Sequence, residues 1–568
     1  MNNFAYRTFL NGIAVAFAAC AVTGSLLANS GHRHAPELEN TDPQQIVDVI
    51  VQFTTPVSAH HHAKVQKHGG QLKNELGVVR GAAYRLPAAE IEQLAADPDV
   101  AYIAPDRIVH GQIDTAEIDI NGTLANSYGY SGAGIGVAVI DSGVGAHPDL
   151  ANRIVYQQDF TGTTTDDFYG HGTHVAGIIA GSGAESKGPD FTRNFKGIAW
   201  RANIISLKVL DQNGNGTDSN VIAAIQKAIA LKSQYNIRVM NLSLGRGVYE
   251  SYKLDPLCQA VEQAWKAGIV VVVSAGNNGR DNSMHTMGYA TVTAPGNDPY
   301  VITVGAIKTE DSVVRAHSQM ASYSSKGPTL DSFIVKPDLV APGNHIISLR
   351  APHAALPKSF PQINVPTSAY NQQGTTAPSK YYMQLSGTSM AAPMVSAAAA
   401  LLVQKQPSLT PDQVKAKLMK TAYKGFPAAT TLTDPVSGIS YSTQYDIFTV
   451  GAGYLDIAAA LNSSDVATGT ALSPAVGLDL TTHNVVLLTA QPGPNVLYSS
   501  NVVWGTNVVW GTNVVWGDNV VWGTTVLLNG TNVVWGTSNL TSLNVVWGTN
   551  VVWGCATAEL TTLVGGEN

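Results

Sequence analysis

The sequence predicts an α/β protein built on a parallel sheet flanked by helices, with a small α+β unit before it and a repetitive tail after it. Three observations carry this prediction. From about Gly132, apolar strand-like runs alternate with helical segments. Between Ile46 and Ala104 a shorter alternation of strand and helix patterns stands apart. From Asn501 onward the pentapeptide Asn-Val-Val-Trp-Gly recurs seven times. With 568 residues the chain exceeds what one core usually holds, so several domains are expected. A content of 45% hydrophobic and 13% charged residues describes a globular protein and argues against disorder throughout. The formal charge of −7, with no lysine- or arginine-rich run, excludes a nucleic-acid role, because phosphate contacts require a basic patch.

The first element is a leader. Arg7 precedes an apolar stretch from Phe9 to Ala21, and small and polar residues follow to Ser30. This is the pattern of a signal peptide over residues 1–29. A membrane span fits less well, since the run is short and broken by Asn11 and Gly12. Phe17-Ala18-Ala19-Cys20 partly resembles a lipoprotein cleavage box, but Phe17 stands where a smaller aliphatic residue is usual. Secretion or a cell-surface location is therefore expected through ordinary cleavage, ahead of lipid anchoring at Cys20. Only Cys258 and Cys555 would remain, so no disulfide framework is read.

The second element spans residues 44–110. Ile46 to Phe53 alternates like a strand, Ala59 to Gly69 suits a helix and Gly77 to Leu86 reads as extended. A short helix then runs from Pro87 to Ala96, and Val100 to Ala104 forms a last strand. Lying between a leader and a larger domain, this unit has the position of a propeptide. The adjacent His60, His61 and His62 cannot converge on one ion from a helix, so a solvated helix face is expected.

The third element, residues 112–461, carries the main sheet. Strands are expected at Ile135–Ile140, Ile204–Val209, Ile237–Leu242 and Ile269–Ser274, with crossover helices at Ser219–Lys232 and Pro256–Ala267. In open sheets of this kind, reactive groups gather at the carboxyl ends of strands. Asp141 follows the apolar run Gly136 to Ile140. His171 lies in Tyr169-Gly170-His171-Gly172-Thr173-His174-Val175-Ala176-Gly177, at a helix start rich in small residues. Ser389 opens an alanine- and leucine-rich helix, with Pro393 in about its first turn, where a missing N–H is tolerated. Free N–H groups and the positive end of the helix dipole there favour an oxyanion. Asn277, in Ser274-Ala275-Gly276-Asn277-Asn278-Gly279, offers a side-chain amide at another strand end. Taken singly, each residue also suits a turn, a helix start or a packed helix.

Taken together, Val139-Ile140-Asp141-Ser142-Gly143, His171-Gly172-Thr173-His174-Val175-Ala176-Gly177 and Gly387-Thr388-Ser389-Met390-Ala391-Ala392-Pro393 resemble the signature of the subtilisin-like serine peptidases. They occur in that family's order of Asp, His and Ser, over about Ile118 to Leu461. The resemblance implies a subtilisin-like fold and an endopeptidase that works through an acyl-enzyme on Ser389. His171 would be its general base, Asp141 the group orienting the histidine and Asn277 an oxyanion donor, with no cofactor needed for catalysis. His174 sits three residues from His171 with no intervening glutamate, so it is assigned to packing and not to zinc. Gly214-Asn215-Gly216 and Ser243-Leu244-Gly245 resemble the two backbone strands that sandwich an extended protein or peptide substrate. Arg280 to Thr293 departs from the family in length and composition, which leaves the primary side-chain pocket unassigned. Asp149 matches an aspartate that binds calcium in many relatives. Glu185 and Asp190, in the unusual loop Gly181 to Lys196, could add oxygens or simply be solvated acids.

Residues Ile46 to His110 resemble the family's inhibitor-type propeptide, a ferredoxin-like α+β unit that assists folding and occupies the active site until cut, here near His110 or Gly111. A slowly folding parallel sheet and a self-digesting product both favour such a partner. Residues 462–500 read as a linker or small β region and 501–554 as the repeats. Copies at Asn501, Asn507, Asn513 and Asn519 are six residues apart, so an extended chain would put Trp504, Trp510, Trp516 and Trp522 on one face. A stacked β module contacting cells, polymers or carbohydrate fits this pattern, and so does a disordered, aggregation-prone tail. The alternative reading of the whole chain is a surface-binding or structural protein on a peptidase scaffold. Retention of the triad together with Asn277 favours catalysis.

Overall fold

The computed structural model of the chain describes residues 33–39, 41–111, 128–283, 286–309, 318–427, 429–433, 438–479 and 484–488, together with the backbone of short strands between 502 and 535. The leader with Cys20, the segment 112–127 and the tryptophan side chains of the repeats lie outside the described residues.

The N-terminal unit contains β1 (Ile46–Phe53), α1 (Ala59–Lys67), β2 (Gln71–Leu76), β3 (Gly81–Pro87), α2 (Ile91–Ala95) and β4 (Val100–Pro105). Its strands pair antiparallel in the order β2-β3-β1-β4. Strand β2 carries no apolar alternation and exposes all but Leu76 and the half-buried Asn74, so its pairing with β3 forms it where no sequence pattern could. The segment expected to be extended from Gly77 instead starts with a 3₁₀ turn, Gly77–Val79, before β3 begins. Nor do the three histidines share a solvated face. His61 is buried, bonded to Ser58 and stacked on Phe53, whereas His62 meets Tyr84 and Glu75 and His60 lies near Asp99.

The pleat of this sheet sorts its side chains into two cores. Val49, Val51, Phe53, Tyr84 and Leu86 pack with Val65, Ile91 and Leu94 from its own helices. Ile50 and Ala83, with Leu76 and Val79, join the core of the larger domain. The docking is also polar: Gln52 Nε2 donates to Gln259 Oε1 at 2.6 Å, and the Val78 amide to Gln226 Oε1 at 3.1 Å.

The chain continues through β5 (Ile108–Gly111), β6 (Gly136–Asp141), β7 (Ile154–Asp159), α3 (His171–Ala180), β8 (Asn203–Lys208), β9 (Asn215–Thr217) and α4 (Asp218–Tyr235). Next come β10 (Ile237–Leu242), β11 (Leu244–Gly245), α5 (Pro256–Lys266), β12 (Val270–Ser274), β13 (Ile302–Lys308), β14 (Gln319–Met320) and β15 (Leu339–Pro342), then α6 (Thr388–Lys405) and α7 (Pro411–Thr421). The main sheet runs β14-β13-β12-β10-β6-β8-β7, with β15 also against β13; all its pairs are parallel except β13 with β14. Strands β6 and β12 are buried along their whole length. Covered on both faces, such strands are written as unbroken apolar runs, which is why they were legible. Helix α6 is buried from Thr388 to Val403, and its alanines permit close approach to the sheet.

The packed unit continues past Leu461. Ala471 and Val476 belong to the main core, and the Val335 amide donates to the Pro474 carbonyl. A buried charge cluster ties this segment down. Lys336 Nζ donates to Asp338 Oδ2 at 2.7 Å, while Lys415 Nζ donates to Ser473 Oγ at 2.8 Å and to the Pro299 and Val301 carbonyls, each at 2.9 Å. Burial pushes the pKa of Lys415 down to about 7. Burial alone would raise Asp338, yet the two ammonium groups hold it below the usual carboxylate range. Asp338→Ala leaves two buried cations without their counter-charge and is expected to cost about 3–5 kcal/mol, read by denaturant unfolding. A loss under about 1 kcal/mol would show that the cluster is not a structural tie.

Candidate active site

Asp141 ends β6, at the carboxyl edge of the sheet. Its Oδ1 accepts from the Ser142 amide at 2.7 Å and lies 2.6 Å from His171 Nδ1, and both side chains are fully buried. His171 is the first residue of α3. Gly170 before it has φ 107°, a left-handed conformation that favours glycine. Gly172 after it leaves no room for a side chain: a Cβ there would fall 2.1 Å from the Gly143 carbonyl oxygen and 3.2 Å from Asp141 Oδ1. The two glycines thus let the helix start rest directly on the strand end.

Asp167, which the sequence reading missed, binds these pieces together. Its Oδ1 accepts from Ser142 Oγ at 2.8 Å and from the Gly170 amide at 2.7 Å. Its Oδ2 accepts from the Thr173 amide at 2.9 Å and hydroxyl at 2.6 Å. Ser142 Oγ in turn accepts from the Gly172 amide at 2.9 Å. One buried carboxylate therefore caps the start of α3 and fastens it to the residue after Asp141. Burial raises the pKa of Asp167 despite these bonds. Its place in Thr165-Asp166-Asp167-Phe168 offered only a weak cue, an acid shortly before a helix start.

Ser389 is the second residue of α6 and fully buried, with its Oγ 3.2 Å from the Ser243 carbonyl oxygen, to which it donates. Pro393 lies beyond the first turn expected for it, so the carbonyl four residues back, on Ser389, receives no helical N–H. Ser243 Oγ donates to that carbonyl at 2.7 Å and replaces the missing bond. Asn241 completes the seat: its Nδ2 donates to Ser243 Oγ at 2.9 Å and its Oδ1 accepts from Ser396 Oγ at 2.8 Å. Asn277 follows β12. Its Oδ1 accepts from the Thr388 amide at 3.0 Å, which leaves Nδ2 as the donor end of the amide.

His174 is buried. Its Nε2 lies 3.0 Å from the Ile346 carbonyl oxygen, and burial lowers its pKa to about 3, so the ring is neutral. Asp149 is also buried. Its Oδ1 accepts from the Glu185 amide at 2.9 Å and its Oδ2 from Tyr382 Oη at 2.8 Å. Both oxygens thus face protein donors, and Glu185 approaches through its backbone N–H. Among the described residues no three His, Cys, Asp or Glu side chains converge as metal ligands. This donor set does not fit a calcium ion.

The two expected substrate segments lie on either side of a third. Strand β5 pairs antiparallel with β9 (Ile108 to Thr217, Val109 to Gly216, His110 to Asn215) and with β11 (His110 to Gly245, Gly111 to Leu244). Gly214, at φ 79°, turns the chain into β9. Between Gly245 and Gly276 stands Thr293: a Cβ on Gly245 would fall 2.6 Å from its Oγ1, and one on Gly276 2.9 Å from its Cγ2. The sequence left this threonine unassigned at the edge of its divergent segment.

A family model described as the Subtilase family matches residues 132–448. Serine protease AprX of Bacillus subtilis (strain 168) is 38% identical over 342 residues, 58% of this chain and 71% of that protein. Subtilisin E of the same organism is 34% identical over 384 residues, 66% of this chain and 84% of its own. The crystal structure of fervidolysin from Fervidobacterium pennivorans superposes with a TM-score of 0.56 at 23% identity, covering 76% of this chain and 64% of that one, and supports the fold.

Asp167→Asn faces the Thr173 donors with an amide that cannot accept from them as the carboxylate does, an expected loss of about 1–3 kcal/mol in thermal unfolding. If Asp167 positions His171, kcat should also fall by more than KM rises. Unchanged kcat in the folded variant would confine Asp167 to a structural role.

Proposed function

The chain belongs to the subtilase family of serine endopeptidases, and from that premise we propose that it is secreted, made as a zymogen, and hydrolyses peptide bonds through an acyl-enzyme on Ser389. His171 takes the Ser389 proton during attack and returns it to the leaving amine. Asp141, bonded to Nδ1, selects the tautomer that leaves Nε2 to act as base and stabilises the cation that forms. The Asn277 side-chain amide and the Ser389 backbone N–H receive the oxyanion. No step requires a metal.

The observation that carries this reading is β5. A segment of the chain itself lies as the middle strand between β9 and β11, antiparallel to both, which is the track an extended substrate would take. Gly111 pairs with Leu244, and the residue before Leu244 is Ser243, the partner of Ser389. A substrate extended in the register of β5 would place the residue after the one opposite Leu244 against Ser243, beside Ser389. Residues 44–110 then act as an intramolecular inhibitor, and autocatalytic cleavage falls within about two residues after Gly111. The leader, with Arg7 before the apolar run Phe9 to Ala21, supports export.

Ser389→Ala should accumulate as the uncut precursor and lose labelling by a fluorophosphonate probe, whereas the wild-type protein is labelled and begins within two residues after Gly111. Normal trimming of Ser389→Ala would assign maturation to another protease, and an unlabelled processed wild type would overturn the nucleophile. Asn277→Ala should lower kcat with little change in KM. The same removal in subtilisin costs about 10²–10³-fold, and a loss below about fivefold here would remove Asn277 from the oxyanion site.

A further inference from the structure

We infer that Glu250, with the ring of Tyr249, forms a subsite for a cationic side chain of the substrate, well upstream of the bond that is cut. The inference rests on the reading of β5 as the substrate track. Arg107 immediately precedes β5, and its carbonyl accepts from the Asp218 amide at 2.7 Å, so its backbone already follows that track. Its guanidinium Nη1 donates to Glu250 Oε1 at 2.6 Å and its carbon lies 5.1 Å from the Tyr249 ring centroid. The Arg107 and Glu250 side chains are 5% and 4% exposed. The other Glu250 oxygen accepts from the Tyr102 hydroxyl, and Arg107 Nε and Nη2 donate to Glu37 at 3.0 and 3.2 Å.

Charge balance indicates what this site takes. On the peptidase side, Arg246 is held by both Asp218 and Asp255, at 2.9 and 2.8 Å. Glu250 is therefore the third carboxylate in a buried cluster with one guanidinium, and Arg107 supplies a second cation. Arg107 and Tyr102 come from the N-terminal unit, and Glu37 from the short segment before it. Once that unit departs, Glu250 loses Arg107 and Tyr102 and faces solvent beside Tyr249, an anion next to an aromatic face, which suits Arg or Lys. A substrate in the register of β5 would bring there the side chain four residues before the one opposite Leu244.

The test uses the processed enzyme and internally quenched peptides built on Asp-Arg-Ile-Val-His-Gly-Gln-Ile, the sequence from Asp106 to Ile113, with the arginine kept or changed to Lys, Ala or Glu. For the wild type, kcat/KM should fall about tenfold from Arg to Ala and further to Glu, with Lys between Arg and Ala. In Glu250→Gln the Arg-to-Ala ratio should shrink to about twofold or less; this ratio is independent of how much folded enzyme is present. Equal rates for the Arg and Ala peptides with the wild type, or an unchanged ratio in Glu250→Gln, would overturn the subsite while leaving peptidase activity intact. If no peptide of the series is cut while unfolded casein still is, the β5 track itself is wrong and the subsite falls with it.

Discussion

The start of α3 must rest on the end of β6 without any side chain between them, and the rest of the site depends on that contact. A Cβ at Gly172 would meet the Gly143 carbonyl oxygen at 2.1 Å, so only glycine lets His171 approach Asp141 to 2.6 Å. Close approach by itself would leave helix N–H groups unsatisfied. Asp167 accepts from Gly170 and Thr173, and Ser142 from Gly172, so the backbone donors at the helix start find partners inside the fold. Steric permission and polar satisfaction come from different segments, and both are needed to hold a buried imidazole against a carboxylate.

Ser389 is seated by a comparable exchange. Pro393 withholds one helical hydrogen bond, and the Ser389 carbonyl it leaves free accepts from Ser243. Because Ser243 adjoins Leu244 and Gly245, the same residue links the start of α6 to the strand beside β5. The position of Ser389 and the pairing of β11 with β5 are therefore set by one local structure. Asn241, reaching Ser396 two turns along α6, stiffens it further.

The N-terminal unit complements the larger domain in shape and charge. Its sheet contributes Ile50, Leu76 and Ala83 to the main core and the turn before β3 contributes Val79, and Asp106 accepts from the Ser219 amide at 2.7 Å at the start of α4. Arg107 balances Glu250. Buried ion pairs of this kind add modest net stability but cost much when one partner is removed, so they specify how the unit sits more than they strengthen its hold.

Much of this was legible in the sequence, for physical reasons that differ by residue. Strands such as β6 and β12 are buried on both faces, so burial itself writes their apolar runs, and Asp141, His171 and Ser389 each follow or open an element whose boundary the chain marks with glycine. Strand β2 left no such mark, since it is mostly solvent-facing and exists through pairing. Asp167 and Glu250 were equally silent, because an acidic side chain shows its role only through what folding brings to it from other segments. Asp149 shows the converse: a matching residue suggested calcium, while Tyr382 and the Glu185 amide, distant or unremarkable in sequence, supply the donors it meets. The sequence by itself determined the α/β fold class and the chain order in which Asp141, His171 and Ser389 stand at element boundaries, since these rest on local patterns of burial and turn chemistry. Tertiary structure alone decided which polar groups satisfy one another across the chain, because hydrogen bonds and charge balance between distant residues leave no local pattern.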